Sequence, residues 1–437
     1  MRGETKPQLR LRTWLLPALV GLLVALQLVA PYRGWRILLV GLGGAWLLSY
    51  LWARSLARGL RLTREMRFGW AQVGDQMVER FTLANDGWAS ALWVELVDHS
   101  TLPGYRASRG SSVGGGRSVR WHTRAACTRR GLFILGPTSL RAGDPFGLYT
   151  VTLHYPASLP LMVLPPIVPL PTIEVAAGGR SGAGRPRANA YERTVSAAGV
   201  REYFPGDSLR WIHWPTSARR DSLFVRLFDG APASDWWILL DMNQRVQVGE
   251  GQDGTEEHGV ILAASLADRG LRSGRTVGLV AHGERLVWFP PRKGEGQRWE
   301  ILRALALVSL GSRPLAELLT RVGPVLGQYA SLVIVTPATD VAWIEALVPL
   351  LRRGAIPTIL LLDPISFGGT GDQGKIQTSL TDLGVVYYII TRDLLDQPQA
   401  RPDRQERWER LISGTGRSVS VRQLPDAAWR VLSLDEQ

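Results

Sequence analysis

The chain has a single cysteine, Cys127, among 437 residues. No disulfide can therefore form within it, and the sequence is compatible with a reducing compartment. Lysine is almost as scarce. Lys6, Lys293 and Lys375 are the whole supply, so the formal charge of +13 rests on arginine. A positive balance of this size draws a chain toward nucleic acid, an acidic lipid surface or an acidic partner. No basic run of nucleic-acid type occurs, however; the arginines are scattered or gather beside apolar segments near the start. The histidines, His99, His122, His154, His213, His258 and His282, show no metal-ligand spacing and read as surface or core residues.

What the chain does have is apolar residues, at 45%, enough to fill the cores of two or three domains. Two apolar runs open it, Trp14–Ala30 and Trp35–Ala53, separated by the short turn "PYRG". At about 1.5 Å per residue each reaches most of the way across a hydrocarbon core of about 30 Å. A cleaved signal peptide is the competing reading of the first run, but no small-residue cleavage motif follows it and a second apolar run does. Residues 1–60 are thus expected to form a transmembrane helical hairpin with basic flanks. Arg2, Lys6, Arg10 and Arg12 precede it, and Arg54, Arg58, Arg61, Arg64 and Arg67 follow it. The positive-inside bias then puts both ends in the cytoplasm, against the weaker counter-signal of Arg33 in the turn and Arg36 at the edge of the second run. The expected location is the cell (inner or plasma) membrane, with two spans and cytoplasmic soluble domains.

Residues 61–171 carry short, partly alternating segments punctuated by turn residues: "MVERFTLAND", "LWVELVD", "SVRWHTRAA", "LFILGPTSLRA" and "LYTVTLHY". This rhythm predicts a β-sandwich-like domain. In "DPFGLY", Pro145 fixes φ and Gly147 permits a positive one. Residues 172–199, with "AAGGRSGAGRPRANA", have the composition of a linker. From 231 to 437 strands and helices alternate. "WWILL", "TVGLVAH", "RLVWF", "LVIVT", "PTILLLD" and "VVYYII" read as strands. "EEHGVILAASLADRGL", "RWEILRALALVSL", "PLAELLTRV" and "VAWIEALVPLLRR" read as helices. The fold class expected here is α/β, with a doubly wound, mostly parallel sheet.

Three motifs invite chemistry. "GGTGDQGKI" nearly matches a phosphate-binding loop at Gly369, Gly374 and Lys375, but Ile376 stands where a hydroxyl should hold magnesium, and a flexible Gly-rich loop is the better account. "GSSVG" spaces Ser112 like a nucleophile elbow, yet sits in a Gly/Ser loop of the β region. The third is "DMNQR", after the strand "WWILL". Ligands bind beyond the carboxyl ends of strands in open α/β sheets. The loop resembles the Asp-x-Ser-x-Ser loop with which von Willebrand factor A domains hold a divalent cation. Asp241 matches and Asn243 offers a carbonyl oxygen, while Arg245 puts a cation where a third oxygen ligand belongs. Thr336 and Asp340 in "VTPATD" are further oxygens. The expectation is an A-type domain that has lost its ion site, with Asp241 and Asn243 as its vestige and no cofactor; a metal-dependent binding module using Asp241 is the alternative.

Residues 200–230 are the most distinctive stretch. "REYFPGDSLRWIHWPTSARR", from Arg201, mixes opposite charges with aromatics. Glu202 and Asp207 stand among arginines, an environment that lowers a carboxylate's pKa and makes it a poor proton shuttle. Arginine's planar fork suits fixed bidentate pairs, and Tyr203, Trp211 and Trp214 offer flat surfaces for stacking. Arg201, Glu202, Tyr203, Asp207, Arg210, Trp214 and Arg219 are therefore expected to form a polar clamp, serving either as an internal brace or as a surface for a partner protein. The stretch, continued by "DSLFVRLFD", is similar to the signature of the domain-of-unknown-function 58 family. Ser208 and Pro215 depart from it, where an acidic and a basic residue are common. The resemblance extends through the hairpin, "RGLFILGP", "DPFGLY" and the A-type region. It implies a non-catalytic component acting beside MoxR-type AAA+ ATPases in the assembly or maturation of partner proteins. An enzyme such as a hydrolase is the third reading, and it rests on the motifs discounted above.

Overall fold

A four-residue strand comes before the first apolar helix, so the chain enters its apolar segments from a sheet and leaves them into another. The computed structural model describes residues 7–66, 69–170, 172–176, 197–203, 212–220, 222–228, 235–327, 330–396 and 430–431. Two compact units emerge: Met1–Leu164 with Arg404–Gln437, and Pro165–Asp403.

In the first unit, β1 (Gln8–Leu11) precedes α1 (Leu15–Val29) and α2 (Arg33–Gly59). Among the described residues one helix, α2, is long and apolar enough to cross a membrane. The 15 residues of α1 span about 22 Å, short of a hydrocarbon core of about 30 Å. Ten strands follow: β2 (Leu60–Met66), β3 (Trp70–Gln72), β4 (Gln76–Asn85), β5 (Ala91–Asp98), β6 (Arg109–Val113), β7 (Arg117–Ala126), β8 (Gly131–Leu135), β9 (Thr138–Gly143), β10 (Tyr149–Tyr155) and β11 (Leu159–Leu164). They form a five-stranded sheet in the order β1-β10-β9-β5-β6, a three-stranded sheet β3-β11-β8, and a sheet in which β2, β4 and β7 are joined by the short C-terminal strand β20 (Arg430–Val431). The expected strands are present, with two corrections. "LFILGPTSLRA" is two strands, broken at Gly136, whose φ of 91° and whose approach to Ala157 O leave no room for a Cβ. Ser112 lies in β6 rather than in a loop.

Alternation along β4 points Met77, Phe81 and Leu83 inward, where they meet Val94, Leu96, Leu140, Val151 and Leu153 of the five-stranded sheet in one core. Ala53 and Leu56 of α2 join that core, so the end of the helix is part of the domain. Glu79 shares the inward parity of β4 and is fully buried. Arg64, inward on β2, meets it through Nε to Oε1 at 3.0 Å and Nη2 to Oε2 at 2.8 Å. The same guanidinium donates to Asp98 Oδ1 at 2.8 Å and Thr138 Oγ1 at 3.2 Å, both on the other sheet. A polar clamp thus bridges the two sheets of the sandwich, a feature that the reading of the sequence did not anticipate.

In the second unit, β12 (Ala197–Glu202) pairs antiparallel with β13 (Phe224–Phe228), with α3 (Trp214–Arg220) between them in sequence. Then come β14 (Trp236–Leu240), α4 (Thr255–Arg272), β15 (Val277–His282), β16 (Leu286–Arg292), α5 (Glu295–Leu307), α6 (Leu315–Val322), β17 (Ser331–Thr336), α7 (Ala342–Arg352), β18 (Ile356–Leu362), α8 (Gly374–Asp382) and β19 (Val386–Ile390). The sheet order is β16-β15-β14-β17-β18-β19, parallel except for β16. That is the doubly wound order, winding outward both ways from β14. Trp237, Leu239, Leu332 and Ile334 pack with α6 and α7, while the opposite parity meets α4, where Gly259 lies against Leu240, Val335 and Leu362. Residues 165–170 and 172–176 run along this unit: Val168 N donates to Ser265 Oγ, Ala176 N to Thr358 Oγ1, and Ala176 O accepts from Ser331 Oγ. The Gly-rich loop ends sooner than expected, because α8 begins at Gly374 and takes Lys375 into its first turn.

Candidate functional site

The strand order of the second unit reverses between β14 and β17, and the carboxyl ends of those two strands form the crevice where doubly wound sheets bind ligands. All five residues of β14 are buried, and Asp241 follows at its end with 4% of its surface exposed. Its neighbour across the reversal is the last residue of β17. Thr336 Oγ1 donates to Asp241 Oδ2 at 2.7 Å, and Asn243 N donates to Oδ1 at 3.0 Å. Burial raises the Asp241 carboxyl to about 6; the hydrogen bonds from Thr336 and Asn243 oppose the rise, and the charge of Asp340 adds to it.

The surrounding loops are knitted together by backbone and amide contacts. Gln247 Nε2 donates to Asp241 O at 2.8 Å, and Thr255 Oγ1, in the first turn of α4, donates to Gln247 Oε1 at 2.7 Å. Gly311 N donates to Met242 O and Gly311 O accepts from Gln244 N, both at 2.8 Å. Gln373, buried before α8, donates through Nε2 to Ala338 O and Leu362 O. The loops after β14, β17 and β18 are therefore held by side chains that close their own hydrogen bonds.

This donor set does not fit a hard divalent cation, which needs several oxygens directed at one point. Both carboxylate oxygens of Asp241 already accept hydrogen bonds. Asn243 Oδ1, the expected carbonyl ligand, accepts from Arg245 N at 3.2 Å, and the Arg245 side chain is exposed. Asp340 Oδ1 accepts from Ala342 N at the start of α7. Among the described residues no group of three His, Cys, Asp or Glu converges on a metal position. Thr336, whose hydroxyl does meet Asp241, was legible as an oxygen in "VTPATD".

The signature segment supplies the second candidate surface. Its ends are the ladder in which Arg201 pairs with Val225 and Glu202 with Phe224. Ser217 is the pin between α3 and β13: buried, it accepts from Phe224 N at 2.8 Å and donates to His213 O at 3.1 Å. His213 in turn meets Thr216 Oγ1 at 2.8 Å. From this pinned base α3 turns Trp214, 65% exposed, and Arg219 and Arg220 to the outside, with the Arg220 guanidinium 5.4 Å from the centre of the Phe224 ring. Glu202 is exposed and Tyr203 half-buried. Asp207, Arg210 and the Arg201 side chain lie outside the described residues. Ser217 stands within the signature, but its pinning role carried no signal in the sequence.

Residues 199–366 match the family described as "Protein of unknown function DUF58", a range that takes in the signature and the α/β sheet from β14 to β18. The uncharacterized protein YeaD of Bacillus subtilis (strain 168) is 32% identical over 111 residues, 25% of this chain and 26% of that one. The uncharacterized protein Rv1480 of Mycobacterium tuberculosis (strain ATCC 25618 / H37Rv) is 29% identical over 109 residues, 24% of this chain and 34% of that one. The chain thus spans about a quarter to a third of the length of these curated relatives. Among solved structures, the SpRpn10 VWA domain aligns with 38% of this chain and 91% of its own at 11% identity, with a TM-score of 0.27.

Proposed function

We propose that the protein is a membrane-anchored, non-catalytic interaction scaffold. In this reading the soluble units are cytoplasmic, α1 and α2 both enter the bilayer, and a von Willebrand factor A-like unit docks a MoxR-type AAA+ ATPase that acts on partner proteins during assembly or maturation. The observation that carries the docking reading is the outward presentation of Trp214 and Arg219 from a base fixed by Ser217. A large exposed aromatic and guanidinium groups carried by one braced helix have the composition of a protein-binding hot spot. The closed hydrogen bonds around Asp241 support a role in holding loops rather than in turning over a substrate. The anchoring reading draws on α2, and on β1 and β2, which flank the two apolar helices and belong to the same unit. Arg10 and Arg12 before the helices and Arg54 and Arg58 after them supply the inside charge.

The test is a mild-detergent pull-down of the tagged full-length protein from its own cells beside a Trp214→Ala, Arg219→Ala variant of equal abundance. An AAA+ ATPase retained by the parent and lost from the variant is the expected result. If no AAA+ ATPase accompanies the parent, the scaffold reading falls. If it accompanies both proteins equally, the signature is an internal brace and docking lies elsewhere. The alternative is a metal-dependent module using Asp241. Titration calorimetry with Mg²⁺ and Mn²⁺ on the full-length protein should show no heat that Asp241→Asn abolishes; such a heat would revive it.

A further inference from the structure

The last turns of α2 have two different sides. Ser49, Ala53, Leu56 and Gly59 form a buried stripe at helical spacing, lying against the sandwich. At the same level Trp46 Nε1 donates to Tyr149 OH at 2.8 Å, and Tyr50 meets the Tyr149 ring edge-on at 5.9 Å. The other side of these turns carries Leu47, Leu48 and Leu51, all exposed, and the first charges after them are Arg54 and Arg58. Three exposed leucines in little more than one turn are costly in water and ordinary in lipid. The apolar environment of α2 therefore reaches the level at which the sandwich already surrounds one side of the helix.

The loops of the sandwich at that level are aromatic. The β4–β5 loop wraps the helix end: Trp52 Nε1 donates to Ser90 O at 3.0 Å, and Asp86 N donates to Gly59 O at 2.9 Å. The same loop holds Trp88 out, 62% exposed, with its ring 5.4 Å from that of Trp52. The β9–β10 turn is fixed by Asp144, whose carboxylate accepts from Phe146 N at 3.0 Å and Tyr149 N at 2.6 Å, and by Gly147 at a φ of 69°. It leaves Phe146 58% exposed. Leu148 O in that turn accepts from Arg12 N, next to Trp14, 74% exposed at the entrance to α1. Leu92 and Trp93, also exposed, begin β5 beside this end. Of the exposed large apolar side chains described in the β-strand region, the others are Leu132 and Ile134. These lie by Thr101 past the far end of β5, about 23 Å away along the strand. Scattered apolar exposure needs no account, but gathering at the end where both helices meet the domain does.

We infer that Trp14, Trp88, Trp93 and Phe146 form an aromatic collar around α2 that sits in the headgroup region of the bilayer and holds the sandwich against it. Rings at this depth bury their apolar bodies while their edges remain among polar groups, as in the aromatic belts of membrane proteins. The inference rests on the reading that α2 crosses a bilayer, and the experiment separates the two.

Nitroxide labels would be placed on full-length protein in phosphatidylcholine–phosphatidylglycerol vesicles through Val40→Cys, Trp88→Cys, Phe146→Cys and Arg124→Cys. Val40 is 72% exposed on α2, and Arg124 is exposed on β7 opposite Val78, at the far end of β4. Cys127 is buried and its thiol is raised to about 11, chiefly by burial, so it stays unlabelled, as the parent protein checks directly. Collision rates with oxygen relative to a water-soluble nickel chelate report depth. The expected order is Val40 highest, Trp88 and Phe146 severalfold above Arg124, and Arg124 water-like. Water-like values at both Trp88 and Phe146 with an oxygen-rich Val40 overturn the collar alone. A water-like Val40 overturns the spanning reading and the collar with it.

Discussion

Arg64 and Glu79 form a two-pronged ion pair inside the sandwich, with side-chain exposures of 6% and 0%. The guanidinium reaches on to Asp98 and lies 5.3 Å from the centre of the Phe81 ring. Burial opposes its charge, but the hydrogen bonds and charge of Glu79, with smaller help from Tyr105 and Asp98, hold its proton more tightly than usual. Tyr105 donates its hydroxyl to Glu79, and burial, then the Glu79 charge, raise its phenol well above the ordinary range. Arg64→Met removes the cation and leaves two buried carboxylates facing each other across the core. Breaking such a pair costs about 3–5 kcal/mol. Denaturant titration of the full-length protein in detergent should show that loss. Adding Glu79→Met to Arg64→Met should recover part of it, and a double variant no better than the single one would contradict the account.

A pH dependence follows from Asp241. Its folded pKa, about 6, lies above the ordinary 3.8, so folding favours the protonated form. The corresponding stability is complete below pH 3.8 and is lost as pH rises through about 6. Two pK units amount to about 3 kcal/mol in full, and between pH 5 and pH 8 the loss from this group is on the order of 1 kcal/mol. Asp241→Asn cannot ionise, so its stability relative to the parent should rise by about that amount over the interval. Thermal unfolding at the two pH values decides it, and a parallel response of the two proteins would show that the carboxyl does not titrate there.

Ser217 offers a local test. Ser217→Ala removes the hydroxyl that accepts from Phe224 N and leaves a buried donor without that partner. The expected cost is about 1–3 kcal/mol. Because the pin lies between α3 and β13, the effect should concentrate there, and trypsin should cut faster after the exposed Arg219 and Arg220 while cleavage elsewhere keeps its rate. Unchanged cleavage would mean that the ladder of β12 and β13 holds the turn without the serine.

The parts of the fold legible in the sequence were those where one face is buried and the pattern repeats. α4 was expected from "EEHGVILAASLADRGL" and runs through that stretch; β14 and β17 were readable as continuous apolar strands. Where the pattern is short or polar it failed. β1 is four residues of mixed character, and α8 carries its apolar signal in two residues, Ile376 and Leu380, one turn apart behind a glycine-rich loop. The carboxylate Asp241 was legible as the end of a strand, but its partner Thr336 lies 95 residues later and becomes a neighbour only through the strand order. The sandwich clamp leaves a trace in the sequence. Glu79 falls at the same parity as Met77 and Phe81, and a carboxylate at an inward position demands a buried cation, which Arg64 supplies from the adjacent strand.

Two glycines of α2 should respond oppositely to alanine. A Cβ on Gly59 would stand 2.3 Å from Gly87 N and 2.7 Å from Gly87 Cα, and backbone cannot yield as a side chain does. Gly87 is itself confined, since its own Cβ would meet Ser55 Oγ at 2.6 Å. Gly59→Ala therefore forces the end of α2 away from the β4–β5 loop, at a cost of about 1–3 kcal/mol. Gly43 has nothing within 4 Å of the position a Cβ would take. Gly43→Ala meets no obstacle and gains helix propensity, at most about 1 kcal/mol. Thermal unfolding of the two full-length variants in one detergent should move the midpoint down for Gly59→Ala and leave it level or slightly higher for Gly43→Ala. Equal destabilisation of both would indicate that the helix is sensitive throughout its length, and the close approach at Gly59 would then not be what joins α2 to the sandwich.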